Sequence, residues 1–399
     1  MNNNDSIVLV TISGQDAPGI VSAMTKAIAA TSARILDIEQ VVIHSRIILV
    51  ILLDSVSLEA NQQTLKKDLL SEAGRLKLEV DLQVMSRRDF SLRSNKFTYA
   101  LTCLGDEISA ATLAQISSTL ASFGVNIERI NRLSQESLNC MEMLITAPEA
   151  VDTGKLRQQL MAISQHHPVD IALQRENIYR KSKRLVVMDV DSTLIQGEVI
   201  DELAKFAGIG ERVADITHRA MSGELNFEQS LRQRVALLKG LPWQVIYEVY
   251  DRLPLTPGAD KFLGTLKHLG YKTGIISGGF SIFTLRLQQE LGLDYAYANT
   301  LEVVNGRLTG GLLGPIVDGQ EKARLVEEIA SKENIPLEQT VAIGDGANDL
   351  LMLEKVGLGI AFNAKKKVRE AAECSISRKN LDSALFLLGI SERDVAEIT

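Results

Sequence analysis

The chain has 399 residues, of which 45% are apolar and 23% charged, and its formal net charge at pH 7 is -7. This length predicts two or three domains, and the composition is that of a globular protein rather than a disordered one. The negative charge argues against nucleic acid as a partner, because nucleic-acid-binding domains usually carry a basic face.

The sequence predicts neither a membrane partner nor a targeting peptide. The first residues lack the basic stretch and apolar run of a signal peptide. The most apolar segment, residues 41–53, is interrupted by His44 and Arg46 and is too short to cross a bilayer. The three cysteines lie far apart without a CxxC pair, which is typical of reduced thiols. We therefore expect a cytoplasmic protein.

The first half of the chain contains one pattern twice. Residues 7–14 and 98–105 both have the composition of a strand that ends in a glycine. A segment with the periodicity of a helix and one apolar face follows each of them. Two strands, a second helix and a last strand come next, which is the order βαββαβ of a ferredoxin-like domain. We predict two such domains, at residues 1–86 and 96–176.

From Leu185 onward, short apolar strands alternate with helical segments. This alternation predicts a parallel sheet with helices on both faces. About 80 residues separate the first two strands, which is far more than a single connection needs, and they contain four helical patterns. We predict a Rossmann-like α/β domain at residues 182–399, with a helical cap inserted at about residues 197–256.

Three of the predicted strands end in polar residues. Asp189 and Asp191 follow the first strand, Ser277 and Gly278 follow the second, and Asp345 follows a later one. Because ligands of open α/β sheets bind outside the carboxyl ends of the strands, we expect these residues to converge on one site.

The residues of this site suit phosphoryl transfer, which depends on positioning and on neutralising charge. Asp189, Asp345 and Asp349 offer the oxygen ligands that Mg²⁺ prefers. The glycines after Ser277 let backbone N–H groups approach a phosphate, and Lys322 adds a positive charge. The sequence has no nucleotide-binding P-loop, no kinase-type glycine loop and no zinc-type histidine pair. A carboxylate is then the available nucleophile.

Four motifs together resemble those of the haloacid dehalogenase (HAD) superfamily. Residues 189–193 are similar to its first motif, DxDxT, while Ser277, Lys322 and residues 344–349 are similar to the second, third and fourth. The resemblance implies an aspartyl-phosphate on Asp189, with Asp191 as general acid and base.

The resemblance also implies the ligands of the site. Mg²⁺ would be bound by Asp189, Asp345 and the backbone carbonyl of Asp191, with Asp349 ordering the surroundings of the metal. The implied contacts of the phosphoryl group and of the substrate are Ser277, Gly278, Lys322 and Asn348.

Within this superfamily the closer resemblance is to the phosphoserine phosphatases, from about residue 182 to the C-terminus. It rests on Glu198, Met221, Phe227 and Arg234 in the cap. By this likeness Glu198 faces the ammonium group of phosphoserine and Arg234 its carboxylate, which a guanidinium can bind with two hydrogen bonds. Met221 and Phe227 would exclude water. The implied activity is hydrolysis of O-phospho-L-serine to L-serine and phosphate, the last step of serine biosynthesis.

The two N-terminal repeats resemble ACT domains, which bind small molecules on enzymes of amino-acid metabolism. Residues 14–21 match the pattern GxDxPGIV, which implies an effector site at Gly14, Asp16, Pro18 and Gly19. The second repeat lacks the Pro-Gly pair. The resemblance suggests feedback control by an amino acid, with serine as the obvious candidate, and a homodimer, because ACT-like domains often pair through their sheets.

Two other functions remain open at this stage. The same covalent intermediate could pass its phosphoryl group to an alcohol, which would make the protein a phosphotransferase. Alternatively, the chain could be an amino-acid sensor with a vestigial catalytic domain. The presence of the whole catalytic set argues against the sensor; the set is Asp189, Asp191, Ser277, Lys322 and Asp345.

Overall fold

The structure is a computed structural model that describes residues 6–31, 33–54, 62–86, 97–135 and 139–398. The chain forms two compact units, Met1–Lys96 and Phe97–Thr399. The predicted domain limit at residue 96 falls in the segment 87–96, which lies outside the described residues.

The first unit is a four-stranded antiparallel sheet with two helices, and its strand order is β2-β3-β1-β4. Its apolar side chains form a core of their own, in which Ile12, Met24 and Leu49 are fully buried. The predicted order βαββαβ is confirmed. The elements are β1 (Ser6–Gln15), α1 (Ile20–Ala29), β2 (Ile35–Ile43), β3 (Arg46–Asp54), α2 (Gln62–Leu76) and β4 (Glu79–Ser86).

The second repeat has the same architecture, with strand order β6-β7-β5-β8. Ile116, which corresponds to Met24 of the first repeat, is also fully buried. The elements are β5 (Phe97–Gly105), α3 (Ala110–Ser122), β6 (Asn126–Arg132), β7 (Cys140–Ala147), α4 (Thr153–His166) and β8 (Val169–Arg175).

The remainder of the second unit is built on a seven-stranded sheet of order β12-β11-β10-β9-β13-β14-β15. All neighbouring strands are parallel except β11 and β12. The strands are β9 (Leu185–Met188), β10 (Lys272–Phe280), β11 (Tyr295–Val304), β12 (Arg307–Leu313), β13 (Thr340–Gly344), β14 (Leu358–Phe362) and β15 (Cys374–Ile376).

The parallel sheet was predicted, but the antiparallel hairpin of β11 and β12 at its edge was not. The hairpin turns at Asn305 and Gly306, whose φ angles are 51° and 73°. An Asn-Gly pair is the residue choice that a tight hairpin turn favours, because both positions need positive φ. The turn was therefore readable from the sequence.

The first four of the five α-helices between β9 and β10 form the predicted cap. Helix α7 begins with a capping box, in which Asn226 and Gln229 satisfy each other's backbone N–H groups. The cap helices are α5 (Val199–Phe206), α6 (Gly210–Met221), α7 (Phe227–Ala236) and α8 (Val245–Tyr250). The other helices are α9 (Ala259–His268), α10 (Ser281–Leu291), α11 (Gly319–Lys332), α12 (Leu350–Lys355), α13 (Lys366–Ala371), α14 (Ala384–Leu387) and α15 (Glu392–Ile398). In the part of the chain that the structure describes, no helix is both long and apolar enough to span a bilayer.

The second repeat shares a hydrophobic core with the catalytic part of its unit. Cys140 and Ala172 of its sheet belong to the same buried cluster as Leu385 and Val395 near the C-terminus. The Gln174 side chain donates a hydrogen bond of 3.1 Å to the Leu387 carbonyl across this contact. Separating the two parts would expose apolar surface that is buried in the intact unit.

A buried ion pair joins the second repeat to the segment that leads into β9. Arg180 is 3% exposed, and its guanidinium lies 2.6 Å from both Glu142 of β7 and Glu176. Removing one partner of a buried ion pair leaves an uncompensated charge, which is strongly destabilising. The linker between the two parts is therefore held in place. The predicted limits at residues 176 and 182 remain predictions.

Candidate active site

The sheet topology brings the predicted polar residues together. Strand β9 lies between β10 and β13, and the chain crosses from one side of β9 to the other, which makes this position the switch point where ligands bind. The backbone N–H of Asp189 donates a hydrogen bond of 2.9 Å to the Ile343 carbonyl, so the ends of β9 and β13 lie side by side.

The loop after β9 is a tight turn that directs its side chains towards the strand ends. Ser192 adopts a φ of 57°, a conformation that is uncommon for residues other than glycine. The Thr193 hydroxyl donates a hydrogen bond of 3.2 Å to Asp345, while the Thr193 carbonyl accepts one of 2.7 Å from the Thr256 hydroxyl. The turn is thus anchored to β13 and to the segment that returns from the cap.

Lys322 is completely buried between two carboxylates. Its Nζ lies 2.8 Å from Asp189 Oδ1 and 2.7 Å from Asp349 Oδ1, and the Lys322 side chain has no solvent exposure. Burial by itself would lower the lysine pKa, but the two carboxylates outweigh it, so that the pKa of Lys322 lies above its usual value. This lysine stays positively charged at neutral pH.

Three aspartates form a cluster that could hold a metal ion. One carboxylate oxygen from each of Asp189, Asp345 and Asp349 lies within 4.8 Å of the other two. Burial and then the charge of Asp349 raise the pKa of Asp189 well above its usual value, and they raise the pKa of Asp345 to about 7. These oxygen donors are the type that hard divalent cations select, and a cation would offset the repulsion among them.

The Asp191 carboxylate is held by the start of the cap. Its Oδ1 accepts a hydrogen bond of 3.0 Å from the backbone N–H of Val199, where the first cap helix begins. Burial, followed by the nearby charge of Glu198, raises the pKa of Asp191 to about 7. A carboxyl group with this pKa can both donate and accept a proton near neutral pH, which general acid–base catalysis requires.

The Ser-Gly-Gly loop at the end of β10 brings its backbone close to these groups. The N–H of Gly279 donates a hydrogen bond of 2.8 Å to Ser277 Oγ. A Cβ atom on Gly279 would lie 2.9 Å from Asp191 Oδ2, and one on Gly278 would lie 2.9 Å from the Phe227 ring. Side chains at these two positions would collide with the general acid and with the cap, so glycine is required for close approach.

The cap residues predicted to bind substrate lie around the same site. The Phe227 ring packs on Gly278. The Glu198 carboxylate accepts a hydrogen bond of 3.0 Å from the Ser192 hydroxyl. Arg234 lies in the last turn of α7. Its Nε–H is buried and has no hydrogen-bond partner among the described residues. Burial lowers the pKa of Arg234, while the charges of Asp201 and Glu198 oppose that shift.

The two remaining predicted residues are Met221 and Asn348. Met221 is the last residue of α6, but its side chain lies outside what the structure describes. Asn348 is half-buried in the helical turn that follows β13, directly before Asp349.

Sequence reasoning missed Asn299, which supports the Ser-Gly-Gly loop. Its side-chain N–H donates a hydrogen bond of 2.8 Å to the Gly278 carbonyl, and its Oδ1 accepts one of 2.8 Å from the Val317 N–H. Asn299 is 1% exposed. The sequence held one signal for this role, because Asn299 is a single amide side chain within the largely apolar strand β11. A polar side chain buried there needs hydrogen-bond partners.

The predicted effector loop belongs to the first unit. Gly14 lies in β1, whereas Asp16 and Pro18 are exposed. Gly19 has a φ of 96° and precedes α1, a conformation that favours glycine. It also borders a crevice of about 570 Å³ between α1 and α2.

Comparison with protein families and curated proteins agrees with this architecture. The family model described as haloacid dehalogenase-like hydrolase matches residues 186–354, and two ACT-domain models match residues 6–83 and 97–174. A phosphoserine phosphatase of Streptomyces coelicolor is 46% identical over 97% of this chain and 93% of its own length. The phosphoserine phosphatase SerB2 of Mycobacterium tuberculosis is 40% identical over 97% of this chain and 94% of its own length.

Solved structures of similar fold include a HAD family hydrolase from Salmonella enterica serovar Typhi. It aligns with a TM-score of 0.64 and 32% identity over 73% of this chain and 98% of its own. A probable phosphoserine phosphatase from Vibrio cholerae, in unliganded form, aligns with a TM-score of 0.59 and 35% identity, over 76% of this chain and 89% of its own.

Proposed function

The chain belongs to the phosphoserine phosphatase family of the haloacid dehalogenase-like hydrolases, and from this premise we propose that it hydrolyses O-phospho-L-serine to L-serine and phosphate. The observation that carries the proposal is the arrangement of Asp189, Lys322 and Asp191 beneath the cap. It provides a nucleophile, a fixed positive charge and a proton carrier. We propose that this reaction is the last step of serine biosynthesis.

The residues of this chain divide the reaction into two steps. A carboxylate oxygen of Asp189 attacks phosphorus, and the bond from phosphorus to the serine oxygen breaks as Asp191 protonates that oxygen. Asp191 then removes a proton from water, which attacks the aspartyl-phosphate and releases phosphate while Asp189 returns as a carboxylate. The pKa of Asp191, about 7, allows both transfers.

Mg²⁺ is the metal we propose for the aspartate cluster. Asp189 and Asp345 would bind it together with the backbone carbonyl of Asp191, and Asp349, which also contacts Lys322, would order its surroundings. When bound, Mg²⁺ neutralises charge on the phosphoryl oxygens. Ser277, Gly278, Lys322 and Asn348 would bind the phosphoryl group.

The cap would recognise the serine portion of the substrate. Arg234 has a buried Nε–H without a partner among the described residues, which a substrate carboxylate can accept. Glu198, whose carboxylate contacts Ser192, would bind the ammonium group. Phe227 packs on Gly278 and would exclude water, and we assign the same role to Met221.

Phosphate release from phosphoserine, phosphothreonine and p-nitrophenyl phosphate, measured with and without Mg²⁺, tests this function. We expect activity that depends on Mg²⁺ and is highest for phosphoserine. The aryl phosphate lacks the carboxylate and ammonium groups that Arg234 and Glu198 would bind, and phosphothreonine carries an extra methyl group. Activity on the aryl phosphate alone would agree with the aspartate mechanism but would refute phosphoserine as the substrate. If phosphoserine were consumed without release of phosphate, the protein would be a phosphotransferase.

Arg234→Ala is expected to lower kcat/KM for phosphoserine by roughly 10²–10³-fold, the effect of losing a buried, charge-assisted contact. Hydrolysis of p-nitrophenyl phosphate, which has no carboxylate, should change by less than about tenfold. Arg232→Ala on the same helix is the control, because Arg232 is half-exposed and pairs with Glu228 instead. Equal losses for both substrates would mean that Arg234 does not bind the carboxylate.

Feedback regulation through the first unit is part of the proposal, with the site at Gly14, Asp16, Pro18 and Gly19 and L-serine as effector. We expect millimolar serine to inhibit the full chain more strongly than a chain that begins at Phe97, as shown by inhibition curves at fixed phosphoserine. The cut is made there because residues 97–180 share a core and a buried ion pair with the catalytic part. Equal inhibition of both chains would place serine in the active site as product.

We also propose a cytoplasmic location, a homodimer, and domain limits at residues 1–86, 96–176 and 182–399. The three buried free thiols support a reducing compartment. Edge strand β2 exposes Ile38, Val41 and Ile43, and a patch of this kind is typical of a protein interface. Sedimentation equilibrium would detect a dimer as twice the chain mass of 43.7 kDa.

A further inference from the structure

A cavity of about 1460 Å³ lies within the second unit, between the second repeat and the catalytic part. Helix α4 and strand β8 supply one side, and helix α13, strand β15 and the segment after it supply the other. The residues that we propose for catalysis are not among those that line it. The arginine and lysine residues that line it are Arg157, Lys261, Lys366, Arg369, Arg378 and Lys379.

Four of these six cations already have a carboxylate partner, and one of the four is Arg157, which lies 3.4 Å from Glu373. Lys261 lies 3.2 Å from Asp382, and Lys366 lies 3.7 Å from Glu370. Arg378 pairs with Asp106 across the two sides of the cavity. These ion pairs neutralise most of the charge, so the binding capacity of the cavity rests on the N–H groups that the pairs leave unused.

Arg157 and Arg369 each retain an unused, buried N–H group. Arg157 of α4 reaches the Leu173 carbonyl and Glu373 only at 3.4 Å. Arg369 of α13 donates a hydrogen bond of 3.1 Å to the Ser377 hydroxyl. The Nε atoms of both arginines are buried and have no partner among the described residues. A buried donor without an acceptor is costly, so an acceptor supplied by a ligand would be stabilising.

We propose that this cavity binds a small oxyanion, a carboxylate or a phosphate group, through Arg157 on one side and Arg369 on the other. Guanidinium groups match both anions because their N–H groups are arranged in a planar fork. Asp170 also lines the cavity, and one of its oxygens accepts a hydrogen bond of 2.7 Å from the Ser377 N–H. An α-amino acid would therefore find a partner for its ammonium group as well. A bound ligand would link the second repeat to the catalytic part.

Thermal unfolding of the full chain tests this site with three probes: sodium phosphate, sodium acetate and L-serine. Each is compared with sodium chloride at the same ionic strength and without Mg²⁺. At about ten times the Kd, a ligand of the folded chain should raise Tm by roughly 2–4 °C. A Tm shift with phosphate alone would identify a phosphate site, and shifts with both acetate and serine would identify a carboxylate site. A larger shift with serine than with acetate would identify a site for an α-amino acid.

Arg157→Gln and Arg369→Gln should each abolish the Tm shift. Arg393→Gln should retain it, since Arg393 is exposed and pairs with Glu397. Phosphate that binds the active site contributes equally to all of these variants, so the difference between them reports on the cavity. Circular dichroism and phosphoserine hydrolysis at the wild-type rate show that the variants are folded. The same shift in every variant, or no shift of the wild type with any probe, would overturn the proposal.

Discussion

Replacing Asp189 by asparagine is expected to lower kcat for phosphoserine by roughly 10⁴–10⁶-fold, the loss that follows removal of an essential catalytic group. The amide cannot form the aspartyl-phosphate, whereas its oxygen can still accept the Lys322 hydrogen bond, which is 2.8 Å in the native chain. The substitution also removes a negative charge that the neighbouring Asp349 carboxylate repels. Folding should therefore be preserved, and phosphate release together with the Tm of the variant would show both effects.

Asp191→Asn is the matched control, because it makes the same chemical change two residues further on. We expect a loss of about 10²–10⁴-fold with phosphoserine, whose leaving oxygen needs a proton. With p-nitrophenyl phosphate the leaving group needs no proton. Formation of the aspartyl-phosphate should therefore keep its rate, while hydrolysis of the aspartyl-phosphate should slow. The variant should then release a burst of nitrophenolate. A comparable burst from Asp189→Asn would mean that the nucleophile is another residue.

Lys322→Met is expected to impair both stability and catalysis. Breaking a buried ion pair costs about 3–5 kcal/mol of unfolding free energy, and here the lysine contacts two carboxylates, Asp189 and Asp349. Loss of a fixed charge at the phosphoryl group should lower kcat by roughly 10²–10³-fold. Urea unfolding and phosphate release measure the two effects separately.

Lys332→Met provides the control for this change on the same helix. Lys332 lies at the exposed end of α11, where its Nζ stacks over the Tyr295 ring, so its loss should change stability little and activity not at all. Lys322→Arg keeps the charge and should recover stability more than activity. If Lys322→Met unfolded at the same urea concentration as the wild type, the buried ion pairs would not stabilise the fold.

Local patterns were sufficient to predict most of the architecture. The βαββαβ order of both repeats followed from strands that end at Gly14 and Gly105 and from the apolar face of the helix after each. Alternating strands and helices predicted the parallel sheet, and the polar residues after β9, β10 and β13 predicted where the site would lie. These predictions succeed because hydrophobic periodicity and the position of strand ends are properties of short segments.

The sequence by itself therefore determined the fold class, the repeats and the residues that the site brings together. Only the tertiary structure decided that Lys322 is fully buried between two carboxylates, that Asn299 supports the Ser-Gly-Gly loop, and that the second repeat shares a core with the catalytic part. Each of these features joins segments that are far apart in the chain. A local pattern records which face of an element is apolar, but not which distant partner covers that face or satisfies a buried polar group.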